Sequence, residues 1–409
     1  MNKIFKSILF LLIIQLTFNL IFTILGFSHP YNIFLFNPDD RFADILKTSD
    51  SFGIADTWFG DNSSYRPLLN ALPLLTLFIE ISFGYVIKYT HVNVIILLLA
   101  IYSIIIFSLY KTIFSKIGNK DKKSLFLICV INYGFLFCLD RGNCSILTVL
   151  FLILFFTKFE NPKLSMLYLA CSVSLKITPI YFFIIVFLIK KDNLKIYLFY
   201  LIFYILLINL ISYSLVSYFY RNQFHENYDL NTYLLGSKTY LKTYLFSGGG
   251  IAYGSSLITL ISFLLLFLKE MFHLNNYINF PLTKLSFFFL VASHIYIYIN
   301  KTFFLTNKFL LILFVCTSFL LFSPVTGDYY ISCFVLPLLF FRESIHKKYM
   351  FPIILLLSPK NYIFYKIYSL QILFNPILML WILYLIYLDV HRGNKIVNIK
   401  YFLNEEITC

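Results

Sequence analysis

The chain has 409 residues, of which 60% are hydrophobic and 13% are charged, and its formal net charge is +14 at pH 7. With a mean hydropathy of +0.81, this composition excludes a soluble globular protein. It predicts an all-α, multi-pass membrane protein, because backbone groups in lipid must find their partners within helices. No soluble basic domain carries the positive charge, which excludes nucleic acid as a partner and leaves the lipid bilayer.

The N-terminal residues 1–27 resemble a signal peptide, with Lys3 and Lys6 ahead of an apolar run. The run from Ile8 to Phe27 is longer than the apolar region of a signal peptide and lacks a small-residue cleavage site. The sequence therefore predicts a first membrane helix that is retained.

An acidic cluster follows this helix. Asp39, Asp40 and Asp44 place three carboxylates within six residues. Two interpretations stay open on residue types alone: a solvated acidic loop, or acid/base chemistry at the membrane surface.

Charge predicts the side of the membrane on which each loop lies. Segment 28–66 has six aspartates against three basic residues, and segment 111–123 has five lysines against one aspartate. Basic loops stay on the cytoplasmic side, so the first segment is predicted outside and the second inside. An odd number of crossings must separate them. The stretch 67–87, which contains Glu80, is therefore predicted as an interfacial or re-entrant helix of a first outer loop at 28–91.

Apolar segments alternate with polar loops along the rest of the chain, and the same charge rule applied to these loops predicts about twelve crossings in one membrane domain, 1–409. A second large outer loop is predicted at 217–281, with a partly embedded helix over 250–268. Some apolar segments, such as 145–157, are too short to cross as straight helices at about 1.5 Å per residue. The seven cysteines show no metal or redox spacing, so no metal site is predicted.

Several ionisable and polar residues lie in the polar segments between apolar runs that are predicted on the outer side of the membrane; these segments are called the outer breaks. Ionisable groups at the edge of apolar segments are costly and need partners. Cations and carboxylates together suit a substrate with a phosphate and a hydroxyl group. The simpler alternatives are that Arg141 pairs with Asp140 or with an acid of the first loop, and that Lys176 extends to the interface. The residues are Asp39, Asp40, Asp44, Arg141, Asn143, Lys176, Asp328 and Tyr329.

Several of these breaks resemble glycosyltransferase family 87. The run Arg141-Gly142-Asn143 is followed by an apolar segment and by Leu175-Lys176-Ile177-Thr178-Pro179, and Asp40-Arg41-Phe42 is similar to the family's early Asp-Phe motif. Tyr253-Gly254-Ser255-Ser256-Leu257 and Ser323–Tyr330 resemble later elements, so the resemblance covers most of the chain in order. Two positions depart from the family pattern: no Gln precedes Asn143, and Asp328 stands in place of a histidine.

The resemblance implies a GT-C-like helical bundle in a bacterial inner membrane, with its active site facing outwards. It implies transfer of a monosaccharide from a polyprenyl-phosphate-linked donor to a glycan or glycolipid acceptor, with no cofactor. The implied roles are Asp40 as general base with Asp44 as the fallback, Arg141 and Lys176 as ligands of the donor phosphate, and Asn143, Asp328, Tyr329 and Arg41 as substrate-binding residues.

Two other classes stay open. A glycan polymerase or ligase of similar architecture would use arginines of the second outer loop, yet Arg221 is the only arginine in 217–249. A flippase or transporter of lipid-linked sugars usually has paired halves with internal symmetry, and the sequence shows no internal repeat.

Overall fold

The structure is a computed structural model, and every structural statement below concerns the residues that it describes. These are residues 2–26, 42, 44–46, 72–90, 93–116, 122–224, 228–236, 238, 254–272, 282–323, 328–340, 346–360, 363–365 and 368–405.

The described chain is helical apart from a short antiparallel hairpin of β1 (Ile363–Tyr365) and β2 (Tyr368–Ser369). The helices of the first half are α1 (Asn2–Ile24), α2 (Leu74–Thr90), α3 (Val94–Lys116), α4 (Lys122–Ile131), α5 (Tyr133–Arg141), α6 (Ser145–Thr157), α7 (Pro162–Leu175), α8 (Phe183–Ile189) and α9 (Leu194–Phe224). The helices of the second half are α10 (Leu257–Met271), α11 (Leu282–Ile299), α12 (Lys301–Thr306), α13 (Lys308–Phe322), α14 (Val335–Phe340), α15 (Lys347–Leu357) and α16 (Gln371–Glu405). Short 3₁₀ segments precede three of these helices, at Thr178–Phe182, Lys191–Asn193 and Asp328–Phe334.

Four helical segments are long and apolar enough to cross a membrane: Asn2–Ile24, Ile95–Ser115, Lys191–Asn222 and Gln371–Gly393. The bent pair α4 and α5, with 48° between the two helices, makes five if it is counted as one span. The predicted all-helical class with several apolar helices is therefore confirmed at the level of four to five candidate spans. The figure of about twelve crossings stays a prediction, because the other apolar helices of the described chain are shorter.

The core is built around α13. Every residue from Phe309 to Leu321 is buried, as expected for a helix that is apolar on all faces. It packs against α11, α14 and α16. The long helix α9 is the opposite case, since it exposes large apolar side chains such as Phe199, Leu206 and Leu210.

Helix α9 also continues into the predicted second outer loop, because residues 217–224 are helical. Val216 and Tyr220, one turn apart, are buried against Leu77 and Ile81 of α2. This apolar contact extends the helix beyond the boundary expected from polarity alone. In the same loop, where a partly embedded helix is predicted over 250–268, the structure has α10 from Leu257 to Met271, and its embedding stays a prediction. The predicted short segment 145–157 has the bounds of α6.

The bend between α4 and α5 is stabilised by Asn132. Its side-chain amide donates to the carbonyls of Ile128 and Cys129, and its side-chain oxygen accepts from the Phe135 backbone N–H. One buried side chain thus bonds two of the last carbonyls of α4 and a first N–H of α5, at helix ends where backbone groups need partners. The bend directs α5 towards the polar site described next.

Candidate functional site

The site forms around the turn that ends α5. Gly142 has φ +66°, and the backbone N–H groups of Gly142 and Asn143 bond the carbonyls of Leu139 and Cys138. These two bonds are a Schellman ending, which favours glycine because its left-handed conformation strains residues that have a Cβ. The N–H of Phe42 donates to the Asp140 carbonyl at 2.7 Å. The end of α5 therefore anchors the described part of the acidic segment.

Asp44 is the centre of the site. Its Oδ1 accepts a hydrogen bond from Arg141 Nη2 at 2.9 Å, within an ion pair. Its Oδ2 accepts from Asn143 Nδ2 at 2.6 Å and from the Tyr329 hydroxyl at 2.9 Å. The exposed fractions of the side chains are 12% for Arg141 and 21% for Asp44. Three donors, one of them cationic, favour the ionised form of this carboxylate.

Tyr329 comes from a distant part of the chain. Its ring stacks on Phe137 of α5, with centroids 5.0 Å apart and an interplanar angle of 13°. The 3₁₀ segment that contains Tyr329 approaches α5 closely at Gly134, where a Cβ would lie 2.7 Å from both the backbone N and the Oγ of Ser332. Gly134 thus allows the approach that brings the Tyr329 hydroxyl to Asp44.

Asn143 links the site to α6. Its Oδ1 accepts from the Ser145 N–H at 2.8 Å while its Nδ2 donates to Asp44. The Asp44 carboxylate therefore lies near the N-terminal end of α6, where the helix dipole favours negative charge.

Lys176 lies in the break after α7 and is partly buried. Thr76 of α2 donates to the Leu175 carbonyl at 2.5 Å and fixes the preceding residue. Burial lowers the pKa of Lys176, but Tyr330, Glu80, Cys144 and Asp44 raise it above its ordinary value overall. Lys176 is therefore protonated at neutral pH. Within the described part of the chain its ammonium makes no hydrogen bond or ion pair.

Glu80 of α2 is a buried carboxylate beside the site. It is 4% exposed, and the Cys144 thiol lies 3.8 Å from its Oε1. Asn143 and Cys144 are adjacent, so Asp44 and Glu80 both contact the turn before α6. The sequence marked Glu80 only as a sign of an interfacial helix, although a charged residue in an apolar run is itself a signal of function.

An apolar cavity of about 240 Å³ borders the same turn. Gly142, Asn143 and Cys144 line it together with residues of α2, α3 and α6. The wall residues include Ile79, Phe83, Val86, Leu98, Ile101 and Ile146.

The structure brings together four of the residues selected from the sequence: Asp44, Arg141, Asn143 and Tyr329. The pairing of Arg141 with a first-loop acid was one of the alternatives left open. Asp39, Asp40 and Arg41 lie outside the described residues, and of Asp328 only the backbone is described, as the start of a 3₁₀ segment. Glu80 and Gly134 were missed. Gly134 gives no signal in a single sequence, because its role depends on a segment almost two hundred residues away.

The described residues contain no group of three or more His, Cys, Asp or Glu side chains that could hold a metal ion. Comparison with protein-family models, with curated proteins and with solved structures finds no match for this chain.

Proposed function

We propose that this chain is a membrane glycosyltransferase of the GT-C class. It transfers a monosaccharide from a polyprenyl-phosphate-linked donor to a hydroxyl group of a lipid-linked or cell-surface glycan. The proposal includes a bundle of about twelve crossings, in which the shorter apolar helices also enter the bilayer. It also includes a bacterial inner membrane with the site on its outer face.

The observation that carries the proposal is an oriented carboxylate beside an ammonium that has no partner in the described chain. Asp44 is held by residues 97, 99 and 285 positions away in the sequence. Such long-range convergence on one partly exposed acid is unusual for a solvated loop. The nearby Lys176 is charged and partly buried, and its ammonium bonds none of the residues that the structure describes, which suits an anionic group of a substrate.

In the proposed reaction, the acceptor hydroxyl oxygen attacks C1 of the donor sugar, and its proton passes to an aspartate carboxylate. The C1–O bond to phosphate breaks, its electron pair stays on the polyprenyl phosphate, and the anomeric centre inverts. Asp44 and Asp40 are the candidate bases. Three hydrogen-bond donors weaken the basicity of Asp44. If Asp44 is the base, the acceptor hydroxyl therefore transfers its proton to Asp44 late in the reaction, when the attacking oxygen already carries positive charge. Lys176 and Arg141 stabilise the charge that develops on the phosphate.

The cavity between α2 and α3 suits the lipid part of such a donor. Its lining is almost entirely apolar, and it includes Asn143, whose side chain also bonds Asp44. A chain lying there would place its phosphate near the polar residues. Buried apolar area contributes about 25 cal/mol per Å² to such binding.

The first test is transfer by the full-length chain in detergent, with labelled polyprenyl-phosphate hexoses and a lipid-linked glycan acceptor. Loss of the general base is expected to lower kcat by about 10²–10⁴-fold. Asp40→Asn and Asp44→Asn are compared with Asp389→Asn. Asp389 is a matched control, since it also accepts from one cation, Lys348, and one tyrosine, Tyr349, in a different part of the fold.

A large loss in one of the two site variants, with Asp389→Asn unaffected, identifies the base. Full activity in both site variants contradicts a carboxylate base. If the wild-type protein transfers no sugar from any donor in detergent, the proposed transferase activity is contradicted. That result favours a flippase, which needs a sealed membrane to act.

Lys176→Met tests the phosphate ligand in the same assay and is expected to raise the KM for the donor. Lys190→Met is its control, because Lys190 pairs with the exposed Glu160 outside the site. An unchanged donor KM in Lys176→Met would instead favour a lysine that only extends to the interface.

A further inference from the structure

Helices α2 and α3 both turn one face towards the apolar cavity. On α2 the lining residues are Ile79, Ser82, Phe83 and Val86, and those of α3 lie between Leu97 and Ile105. Each set has the spacing of a single helix face. From Ile79 to Val86 the lined face of α2 extends over about 10 Å, at about 1.5 Å per residue. This length is a third of the roughly 30 Å core of a bilayer.

One end of the cavity lies beside the polar site. Tyr102 of α3 lines the cavity and donates a hydrogen bond to the Leu139 carbonyl at 3.0 Å, next to the turn that ends α5. Asn143, which also lines the cavity, donates to Asp44 at 2.6 Å. Ile45 follows Asp44 in the chain and is a further lining residue. Polar groups for a ligand's head and room for its apolar chain therefore meet at this end.

The other end lies near the connection between the two helices. Residues 91–93 join α2 to α3, so Val86 and Leu97 are the described lining residues nearest to the connection in the chain. Val86 is exposed, whereas Tyr102 and Ile105 are buried. A chain that starts at the polar site can therefore leave the protein past Val86 and continue in the bilayer.

The volume of the cavity limits how much of a chain it holds. A protein cavity of about 150 Å³ holds one benzene molecule, which corresponds to roughly 25 Å³ per carbon atom. On this scale the cavity of about 240 Å³ has room for roughly ten carbon atoms. A geranyl group has this number, as two isoprene units with short methyl branches. A straight chain of equal carbon number is longer and extends further beyond the cavity.

We propose that this cavity holds the first two isoprene units of the donor lipid, counted from its phosphate, while the rest of the chain lies outside the protein. This role rests on the proposed function, which supplies the polyprenyl phosphate, and adds the length of chain that the protein contacts. Units beyond the second should add little affinity, because a bilayer is as apolar as a protein surface.

The test is direct binding of labelled prenyl phosphates to the full-length chain in phosphatidylcholine nanodiscs, without sugar transfer. Dimethylallyl, geranyl and geranylgeranyl phosphate contain one, two and four isoprene units. Ser82→Phe fills the middle of the cavity, since Ser82 lies between Ile79 and Val86 on the lined face. We expect it to weaken binding of the two longer probes about tenfold. Dimethylallyl phosphate, which needs only the part near the polar site, should change by less than about twofold.

Ile104→Phe is the matched control. Ile104 of α3 is exposed and is not among the described lining residues of the cavity, so all three affinities should stay at the wild-type value. Each variant is compared with the wild type for the same probe, so that partition of the probe into the nanodisc lipid cancels. Should Ser82→Phe not fold, Val86→Phe at the exposed end is expected to show the same selective loss.

Two results overturn the two-unit cavity: the wild type binds no prenyl phosphate, or the folded variant weakens all three probes alike or none of them. Decyl phosphate tests the occupant. If it binds the wild type as tightly as geranyl phosphate and loses as much in Ser82→Phe, the cavity holds an ordinary acyl chain and the isoprenoid assignment is overturned. A selective loss in a protein that transfers no sugar keeps the chain site and contradicts only the transferase. Sugar transfer without the selective loss contradicts only the chain site.

Discussion

At the scale of single residues, Asn143 makes two different hydrogen bonds, one through its side-chain oxygen and one through its side-chain nitrogen. Its oxygen accepts from the Ser145 N–H at the start of α6, and its nitrogen donates to Asp44 at 2.6 Å. An aspartate side chain can accept the same bond from the Ser145 N–H but offers an acceptor where Asp44 needs a donor. The substitution Asn143→Asp therefore keeps the bond from Ser145 and disrupts only the contact with the carboxylate.

We expect Asn143→Asp to lower the free energy of unfolding by about 1–3 kcal/mol, because two like charges then meet in a partly buried site. Asn161→Asp is the matched control. Asn161 caps α7 by accepting from the Leu164 N–H, and it is exposed. Its substitution should change stability by less than about 0.5 kcal/mol. Equal denaturation midpoints of the two variants in detergent would contradict the described contact between Asn143 and Asp44.

At the scale of elements, the end of α5 and the segment around Asp44 depend on each other. Phe42 has a left-handed φ of +58°, which is uncommon outside glycine. A Cβ on Gly142 would lie 2.8 Å from Ile45 Cγ2 and 3.3 Å from Phe42 Cα. Both the helix ending and the approach of the acidic segment therefore require glycine at position 142.

Gly142→Ala is expected to cost about 1–2 kcal/mol for the left-handed backbone and a further 1–3 kcal/mol, roughly, for the clash. Gly26→Ala separates the two contributions. Gly26 has φ +78°, but a Cβ there meets nothing within 4 Å. Gly26→Ala should show only the backbone cost in thermal unfolding. If the two variants unfold at the same temperature, the acidic segment does not pack against Gly142.

Local sequence patterns predicted the positions of the helices better than the contacts between distant parts of the chain. The apolar run 145–157 predicted α6 within its observed bounds, and the break at Lys176 follows the end of α7 directly. Polarity along the chain is a local property, so it located these positions. Local polarity could not decide which of Asp39, Asp40 and Asp44 belongs to the site, because that depends on how the segment around Phe42 packs against Gly142. The bond from Tyr329 to Asp44 spans 285 residues, and no local pattern encodes it.

At the scale of the whole molecule, apolar side chains are distributed in two ways. The core around α13 is buried within the protein, whereas α9 and other long helices present large apolar residues outwards. A water-soluble protein would leave these faces exposed at considerable cost, since contiguous apolar surface of this kind favours association. A surrounding bilayer removes that cost. The outward faces of α9 thus supply the clearest test of membrane insertion.

Leu206→Lys is the variant for this test. Leu206 is 65% exposed and lies near the middle of the candidate span Lys191–Asn222. In water the change would shift stability by less than about 0.5 kcal/mol, but at the centre of a spanning helix a lysine costs about 3 kcal/mol on the insertion scale. We therefore expect markedly less of this variant to resist alkaline carbonate extraction from membranes.

Tyr218→Lys provides the comparison on the same helix. Tyr218 is 61% exposed and lies near the end of the span, one turn before the basic Arg221. A lysine there extends its ammonium to the interface, so extraction resistance should stay close to that of the wild type. Equal recovery of the two variants would mean that the middle of α9 does not contact lipid. A bilayer position for α9 follows only if the loss depends on depth, because a general effect of added charge would weaken both variants alike.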